Sequence, residues 1–256
     1  AEGTPIARYT TTQTGGSVVI DHPFNRVFVF SYGIDSRDQT LDLNEGTDLS
    51  DAQKEKEGLE EGRIDSFSLG IAKDTRLNKF DAFQGSRSAL NYSQGFSLLG
   101  ADFSYSRYIL DLRKYVPLNA RNRWVLAGRL KFGDATGSVP ATEQFYIGGT
   151  DTVRGYEFGR LRGFKMGLFN LELRLRTNPV GGVLFFDAGD AGPNFATDDK
   201  GNLVKEKFKI ENTVLGVGAG IRFKVPQLSN LPIRLDFGYN LERGGVRFHF
   251  GFGQLF

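Results

Sequence analysis

The chain has 256 residues, enough for one large all-β domain or two smaller ones. Its 32 lysines and arginines nearly balance 30 aspartates and glutamates, which argues against a nucleic-acid binder held by bulk charge. Cysteine is absent, which excludes disulfides and cysteine-based metal sites, and the 33 glycines and 23 phenylalanines favour strands and tight turns over helices.

The hydropathy pattern leaves two kinds of protein open. No stretch approaches the roughly 18 uninterrupted apolar residues of a membrane helix, and no charged-then-apolar signal sequence begins at Ala1. The protein is therefore either soluble or a mature chain that crosses a membrane as a β-barrel. A barrel gives a weak hydropathy signal, because only alternate residues face lipid.

Alternating apolar and polar residues predict eleven strands. In residues 167–176, for example, Phe169 and Leu171 share one face, whereas Glu172 and Arg174 share the other. The predicted strands lie at residues 13–22, 25–41, 63–77, 84–93, 99–116, 121–134, 164–177, 180–190, 212–226, 230–240 and 244–256.

Three further segments carry local predictions. Residues 3–12 are a candidate twelfth strand. The alternation changes phase within residues 99–116, which predicts a β-bulge near Ser106 and Arg107. The charged run at residues 47–63 is typical of a solvated outer loop.

Two properties of the strands favour a membrane barrel over a sandwich with one wet face. Their polar faces carry full charges through the middle of long strands, as a water-filled lumen allows. The connections also alternate between short turns and long loops, the latter at residues 42–62, 135–163 and 191–211. The prediction is an all-β, transmembrane antiparallel β-barrel of eleven or twelve visible strands, whole or part of a larger barrel, with residues 1–256 as one domain.

The last predicted strand, residues 245–256, ends the chain on an aromatic residue. Its two glycines, Gly251 and Gly253, weaken strand pairing. Lipid exposure favours a phenylalanine strip, at about 1.5–3 kcal/mol for each side chain. The alternative is a core edge strand in a soluble sandwich. The strip, which resembles the terminal signal strand of bacterial outer-membrane proteins, is predicted to contain Phe248, Phe250, Phe252 and Phe256.

The stretch GGTDTVRGYEFGRLRG, residues 148–163, does not alternate and lies between two predicted strands. A phosphate-binding loop would need a following helix and a Lys-Ser/Thr pair, both of which are missing from the sequence. RNA binding by the arginine and aromatic residues conflicts with the near-neutral charge. A disordered outer loop remains as the plain alternative.

Several motifs in order resemble the BamA/TamA superfamily of outer-membrane assembly factors, also called the bacterial surface antigen family. EQFYIGGTDTVRGYEFG, residues 143–159, looks like its signature loop, and Val153-Arg154-Gly155-Tyr156 is the most specific element. VLFFDAGDAG at 183–192 and FHFGFGQLF at 248–256 look like later barrel strands. The resemblance covers the chain from about residue 63 onward.

The resemblance implies a role for this loop. In the family, the loop folds back into the barrel lumen, and its arginine pairs with acidic residues on the inner wall. Carried over to this chain, Arg154 is expected to meet Glu172 and Asp187. The alternation independently places Glu172 on the polar face, whereas the inward direction of Asp187 is implied by the motif. Together with Val153, Gly155 and Tyr156, these residues would form a lumenal latch.

The resemblance also implies a function without covalent chemistry, cofactor or metal. The chain would fold and insert client β-barrel proteins into the bacterial outer membrane through a weak seam between its first and last strands. Its partners would be outer-membrane lipids, unfolded clients and periplasmic or lipoprotein accessory subunits, and no nucleic acid. The main alternative is a polypeptide secretion pore of the two-partner type, which shares the arginine loop.

Two other functions are less well supported by the sequence. An outer-membrane protease or lipid hydrolase would need a catalytic grouping, but the only histidines, His22 and His249, are far apart in sequence and are interpreted as structural. A simple porin is the other. The chain also departs from the family pattern of about sixteen strands. It contains no POTRA domain, so it is interpreted as a fragment, a processed chain or a short family member.

Overall fold

The computed structural model describes residues 9–43, 58–97, 100–192, 195–197, 203–205, 213–224, 231–242 and 244–256. The described strands are β1 (Tyr9–Pro23), β2 (Phe28–Leu43), β3 (Gly62–Asp74), β4 (Gly85–Gly95), β5 (Tyr105–Pro117), β6 (Trp124–Gly137), β7 (Phe145–Ile147), β8 (Leu161–Gly163), β9 (Lys165–Leu175), β10 (Val180–Gly192), β11 (Phe195–Thr197), β12 (Leu203–Lys205), β13 (Val214–Lys224), β14 (Pro232–Asn240) and β15 (Val246–Phe252). A short 3-10 helix covers Ala141–Glu143.

Eleven of these strands form one antiparallel sheet. Its spatial order is β1-β2-β3-β4-β5-β6-β9-β10-β13-β14-β15, so each strand of this sheet pairs with the next strand of the same sheet along the chain. The strands β7 and β8 form a separate pair within the loop between β6 and β9, and β11 pairs with β12. The predicted all-β barrel-type fold with eleven strands is confirmed. Of the candidate twelfth strand, residues 9–12 belong to β1 and residues 3–8 lie outside the described residues.

The sheet has two edges in the part of the chain that the structure describes. There, β1 pairs only with β2, and β15 pairs only with β14. An unpaired edge presents a row of free backbone donors and acceptors to any strand that approaches it. Within the described residues, such rows lie on β1 and β15.

The two faces of the sheet differ as the alternation predicts. Asn170, Glu172 and Arg174 are buried on the inner face of β9. Large apolar side chains such as Leu130 on β6 and Leu184 on β10 are exposed on the outer face. This outward apolar and inward polar arrangement is typical of strands that cross a membrane. No helix within the described ranges is long and apolar enough to span a bilayer.

The predicted bulge near Ser106 and Arg107 is wrong. The strand β5 pairs without interruption with β4 on one side and β6 on the other. Phe103 and Tyr105 point inward and are buried in an apolar cluster beneath the long loop. The apparent phase change arises because the inner face is apolar at this end of the strand.

The charged segment 47–63 is only partly described, because residues 44–57 lie outside the described ranges. Leu59 is buried, and the Ala141 amide donates to the Gly58 carbonyl oxygen at 2.8 Å. The expectation of a solvated loop is therefore wrong for the end of this segment, because Leu59 packs into the interior before β3 begins.

The C-terminal phenylalanine does not lie on the outer face where the sequence predicts it. The strand β15 ends at Phe252, and Gly253 adopts a positive φ of 79°, which turns the chain inward. Phe256 is only 5% exposed and packs against Tyr115, with ring centroids 6.3 Å apart. The prediction for Phe256 is wrong because this turn interrupts the alternation. The remaining predicted aromatics are exposed on the outer face: Phe248, Phe250 and Phe252.

Candidate functional site

The candidate site is the long loop between β6 and β9, residues 138–163, here called the arginine loop. It leaves the middle of the sheet, forms the 3-10 helix at Ala141–Glu143, and folds back on itself through β7 and β8. Gly148, Gly149 and Gly155 adopt positive φ angles of 108°, 98° and 95°, a backbone region that glycine enters without steric cost. The glycines therefore permit the bends that carry Arg154 to the inner wall.

Arg154 lies at the centre of a fully buried charge cluster. Its Nε and Nη2 donate to the two carboxylate oxygens of Asp187 at 2.7 and 2.9 Å. Its Nη1 donates to Glu172 Oε1 at 2.7 Å and to Asp236 Oδ2 at 3.0 Å. All four side chains have no exposed surface. One planar guanidinium thus satisfies three carboxylates on β9, β10 and β14.

The surrounding wall supplies three more arginines. Arg222 Nη1 donates to Asp236 Oδ1 at 2.5 Å, and Arg174 Nε donates to Glu172 Oε2 at 2.7 Å. Arg234 lies next to Asp236, with Nε and Oδ2 3.8 Å apart. Four cations therefore surround three anions, and each buried carboxylate has an ionic partner. Such pairing offsets the large cost of removing charges from water.

The guanidinium of Arg154 also contacts an aromatic face. Its central carbon lies 3.5 Å from the centroid of the Phe185 ring, a distance that permits a cation–π contact. Asn170 Nδ2 donates both to Asp187 Oδ1 and to the Thr152 carbonyl oxygen, each at 2.8 Å. These contacts fix the plane of the guanidinium and the backbone just before it.

The neighbours of Arg154 in the motif hold the loop backbone against the wall. Val153 is buried in the apolar cluster with Tyr156. The Tyr156 hydroxyl donates to the Leu215 carbonyl oxygen at 3.0 Å. A Cβ on Gly155 would lie 2.9 Å from the backbone nitrogen of Asn240, so a larger residue does not fit there without movement.

The inner wall has glycines where the loop backbone lies against it. A Cβ at Gly216 on β13 would overlap the Arg154 carbonyl oxygen, and one at Gly238 on β14 would overlap the Gly155 nitrogen. Because these two glycines have no side chain, the loop backbone can lie directly against β13 and β14. The sequence shows them only as members of glycine-rich strands.

Of the predicted latch residues, the structure brings together Arg154, Glu172 and Asp187, with Val153, Gly155 and Tyr156 beside them. The predicted strand residues Gly251 and Gly253 contribute no contact to Arg154 in the described part of the chain. A Cβ on Gly251 would lie 2.8 Å from Arg234 Nη2, and Gly253 forms the turn that ends β15.

The predicted latch left out Asp236 and three wall arginines, Arg174, Arg222 and Arg234, and the sequence interpreted His249 only as a structural residue. Asp236 is the third carboxylate on Arg154, and the alternation of β14 already places it on the polar face. His249 on β15 accepts a hydrogen bond from the Gly155 amide through Nε2 at 3.0 Å. The alternation of β15 places His249 on the inner face, and this was the sequence signal for its contact with the loop.

No group of histidine, aspartate and glutamate side chains suited to a metal ion occurs in the described ranges. The three buried carboxylates are engaged by arginine. Their arrangement is suited to holding a loop in place.

These features define a membrane β-barrel protein whose long arginine loop returns to the inner wall of its own sheet. The chain belongs to the Omp85 superfamily, because the Omp85 superfamily domain matches residues 3–256. This confirms the family resemblance that the loop and strand motifs indicate.

Curated relatives come from both plastids and bacteria. The chain is 34% identical over 172 residues to the chloroplastic outer envelope protein 80 of Arabidopsis thaliana, covering 64% of this chain and 22% of that protein. It is 28% identical over 224 residues to the outer membrane protein assembly factor BamA of Nitratidesulfovibrio vulgaris, covering 79% of this chain and 27% of that protein. The chain thus spans about a quarter of the length of these relatives.

Solved structures share the fold. BamA from Haemophilus ducreyi lacking POTRA domains 1–3 superposes with a TM-score of 0.75 at 15% identity, over 96% of this chain and 54% of that one. CdiB from Escherichia coli superposes with a TM-score of 0.64 at 17% identity, over 96% of this chain and 45% of that one. At these identities the similarity concerns the fold alone.

Proposed function

We propose that this chain is the barrel portion of an assembly factor that folds client β-barrel proteins and inserts them into an outer membrane. The observation that carries this proposal is the sheet edge at β15, which pairs only with β14 among the described residues and which the arginine loop contacts directly. A client strand can pair with such an edge and enter the membrane beside it. The relative named as an assembly factor supports the same function.

We propose that the protein acts by strand pairing, without forming or breaking covalent bonds. Folding a barrel in lipid requires each client strand to pair its backbone groups before they face hydrocarbon. An edge strand offers those partners at the membrane boundary and so lowers the barrier to insertion. We propose no cofactor, no metal and no enzymatic step.

The partners we propose are unfolded barrel clients, the surrounding lipids, and periplasmic or lipoprotein subunits bound outside this chain. The membrane we propose is the bacterial outer membrane. The chloroplast outer envelope of the plant relative is the other location to test. Fractionation of the source organism, with an antibody to this chain, distinguishes the two.

A polypeptide secretion pore is the second candidate, and the structural similarity to CdiB favours it. An export pore needs a path through the barrel interior. The inner face carries the Arg154 cluster, and the Phe256 tail packs inside against Tyr115 and Arg174. These interior contacts support assembly at the edge over export through the lumen.

Depletion of the full-length protein in its source organism tests the proposal. Assembly activity predicts that many different barrel proteins disappear from the membrane, as measured by quantitative proteomics of the outer-membrane fraction. Loss of one large exported polypeptide with normal barrel levels would instead establish the secretion pore. Complementation with the wild-type chain controls for indirect effects.

A further inference from the structure

The outer face of the sheet has a depression between β4 and β9. It measures about 400 Å³, which is within the range of about 300–1,000 Å³ that ligand sites in proteins occupy. Four residues that are paired directly across β4, β5, β6 and β9 line it: Leu90, Leu110, Phe132 and Gly167. Each of these strands pairs on both sides, so the depression lies within the sheet and away from its edges.

One end of the depression is polar and lies toward the arginine loop. The next row of paired residues contains Tyr108 on β5, Asp134 near the end of β6 and Lys165 at the start of β9. All three also line the depression. Tyr92 on β4 completes this row, and its ring centroid lies 4.8 Å from that of Tyr108. Tyrosines are enriched where a membrane protein meets the lipid headgroups, so this row marks the headgroup level.

Asp134 and Lys165 form an ion pair that leaves binding capacity on both side chains. Lys165 Nζ donates to Asp134 Oδ2 at 3.0 Å. The other carboxylate oxygen, Oδ1, is shielded from solvent and has no hydrogen-bond partner among the described residues. An ammonium has three donors, and this ion pair uses one of them. The pair can therefore accept a hydrogen bond at Oδ1 and donate further ones from Nζ.

The polar end of the depression, and not its apolar floor, decides which molecule binds. Lipid chains contact the whole outer face of a membrane-spanning sheet and are as apolar as leucine, so the floor distinguishes one lipid poorly from another. A charged pair at the headgroup level does distinguish them, because charges interact more strongly there than in bulk water. An ammonium group fits Asp134 Oδ1, and a phosphate group fits Lys165 Nζ.

We propose that this depression is a binding site for a phospholipid whose headgroup carries both a phosphate and a primary ammonium. The phosphate lies on Lys165 and the ammonium donates to Asp134 Oδ1, while one acyl chain lies along Leu90, Leu110 and Phe132. The site is on the opposite face of the sheet from Arg154, and it does not depend on the proposed function.

Native mass spectrometry of the full-length protein tests this site. The purified protein in detergent is titrated with palmitoyl-oleoyl phosphatidylethanolamine, and the bound fraction gives a dissociation constant. Phosphatidylglycerol keeps the phosphate without the ammonium, and phosphatidylcholine carries a trimethylated ammonium that cannot donate a hydrogen bond. With the same acyl chains, phosphatidylethanolamine is expected to bind the wild-type protein about tenfold more tightly than either of the other two lipids.

Two substitutions separate the two headgroup contacts. Lys165→Gln should weaken the binding of all three lipids about tenfold, because each of them carries a phosphate. Asp134→Asn should remove the preference for phosphatidylethanolamine over phosphatidylglycerol, because the ammonium loses its charged acceptor. Lys114→Gln is the control, since Lys114 is an exposed residue of β5 that does not line the depression, and it should leave all three affinities unchanged.

A substitution on the floor of the depression tests the acyl-chain contact. Leu110→Trp fills part of the depression and should weaken the binding of every phospholipid while leaving the headgroup preference unchanged. Leu126→Trp on β6 is the matched control, because Leu126 is 37% exposed against 36% for Leu110 and does not line the depression.

Equal affinity of the wild-type protein for the three lipids, or a preference that survives Asp134→Asn, would overturn the proposed headgroup contacts. A loss of binding in Lys114→Gln as large as that in Lys165→Gln would indicate general attraction to phosphate and would also overturn the site. If Lys165→Gln or Asp134→Asn fails to fold, the two tryptophan variants decide. Equal lipid binding by Leu110→Trp and Leu126→Trp would then reject the depression as the binding site.

Discussion

Arg154 and Asp187 are joined by three hydrogen bonds. The guanidinium makes two of them with the two carboxylate oxygens, and the Arg154 backbone amide makes the third with Oδ2 at 3.1 Å. Side chain and backbone therefore dock on the same carboxylate. This arrangement fixes the position of the loop backbone as well as that of the arginine side chain.

We predict that Arg154→Ala strongly destabilises the protein. Removing one partner from a buried ionic cluster costs about 3–5 kcal/mol, because the remaining charges stay buried without compensation. Glu172 and Asp236 would each lose one hydrogen bond, and Asp187 would lose two. The unfolding temperature in detergent, followed by the change in gel mobility on heating, measures the loss.

Arg160→Ala is the matched control for this variant. Arg160 pairs with Glu242 at 3.3 Å on a partly exposed surface, where ion pairs contribute about 0–1 kcal/mol. Digestion with chymotrypsin, which cuts after Tyr156 and Phe158, reports whether the loop has come away from the wall. Equal stability and equal protection in the two variants would show that Arg154 does not hold the loop.

Gly216→Ala should loosen the loop without changing any charge. The added methyl group would overlap the Arg154 carbonyl oxygen, a backbone atom that cannot rotate away. Overpacking of this kind costs about 1–3 kcal/mol. We expect a lower unfolding temperature and faster cleavage at Tyr156.

The control for that substitution is Gly182→Ala on β10, where the nearest heavy atom to an added Cβ is 3.9 Å away. This position is expected to behave as wild type. If Gly182→Ala destabilised the protein as much as Gly216→Ala, the effect would reflect strand propensity and not contact with the loop.

Much of the fold could be predicted because a period of two residues is a local property. The alternation in β9 assigns Glu172 and Arg174 to the inner face, where the structure buries them. The interior apolar cluster near Tyr105 follows from a distant loop that packs over it. The pattern of a single strand contains no information about that loop. The apolar residues on the inner face were therefore interpreted as a change of phase, which led to the wrong prediction of a bulge.

Some contacts of the site could also be predicted from the sequence, for the same reason. The motif and the alternation led to Arg154 and Glu172. The alternation also places Asp236 inward, but choosing it as a partner requires knowing that β14 lies opposite the loop. Phe256 could not be placed correctly, because the turn at Gly253 depends on a pocket formed by β5 and β6.

Asp81 makes stability depend on pH at the turn between β3 and β4. Burial alone would raise the pKa of the Asp81 carboxyl, but hydrogen bonds from Arg176 at 3.0 Å and Lys224 at 2.7 Å lower it from 3.8 to about 2. The folded pKa is below the unfolded one. The stabilisation is therefore complete above about pH 4 and is lost as the pH falls toward 2.

We predict that this carboxylate contributes about 2 kcal/mol at neutral pH. Asp81→Asn should lower stability at pH 7 by about that amount and should remove part of the loss seen between pH 4 and pH 2. Urea unfolding in detergent at several pH values measures it. Asp21→Asn, an exposed aspartate on β1, is the control, and an identical pH profile for the two variants would contradict the prediction.

The position of Phe256 leads to a different prediction from the lipid-facing strip. Its ring packs between Tyr115 and Arg174, whose guanidinium carbon lies 4.9 Å from the ring centroid, and Arg174 Nη2 donates to the Phe256 backbone oxygen at 3.2 Å. Truncating a buried phenylalanine costs about 3–5 kcal/mol. Phe256→Ala should therefore lower the unfolding temperature markedly.

Phe252→Ala is the comparison, because Phe252 remains 61% exposed on the outer face of β15. In detergent this ring contacts apolar detergent chains in both the folded and the unfolded protein. Its loss should therefore have a smaller effect on the unfolding temperature. The Tyr115→Phe variant keeps the ring beneath Phe256 and should retain most of the stability. If Phe252→Ala and Phe256→Ala lowered the unfolding temperature equally, the inward tail would contribute no more to stability than a ring on the outer face.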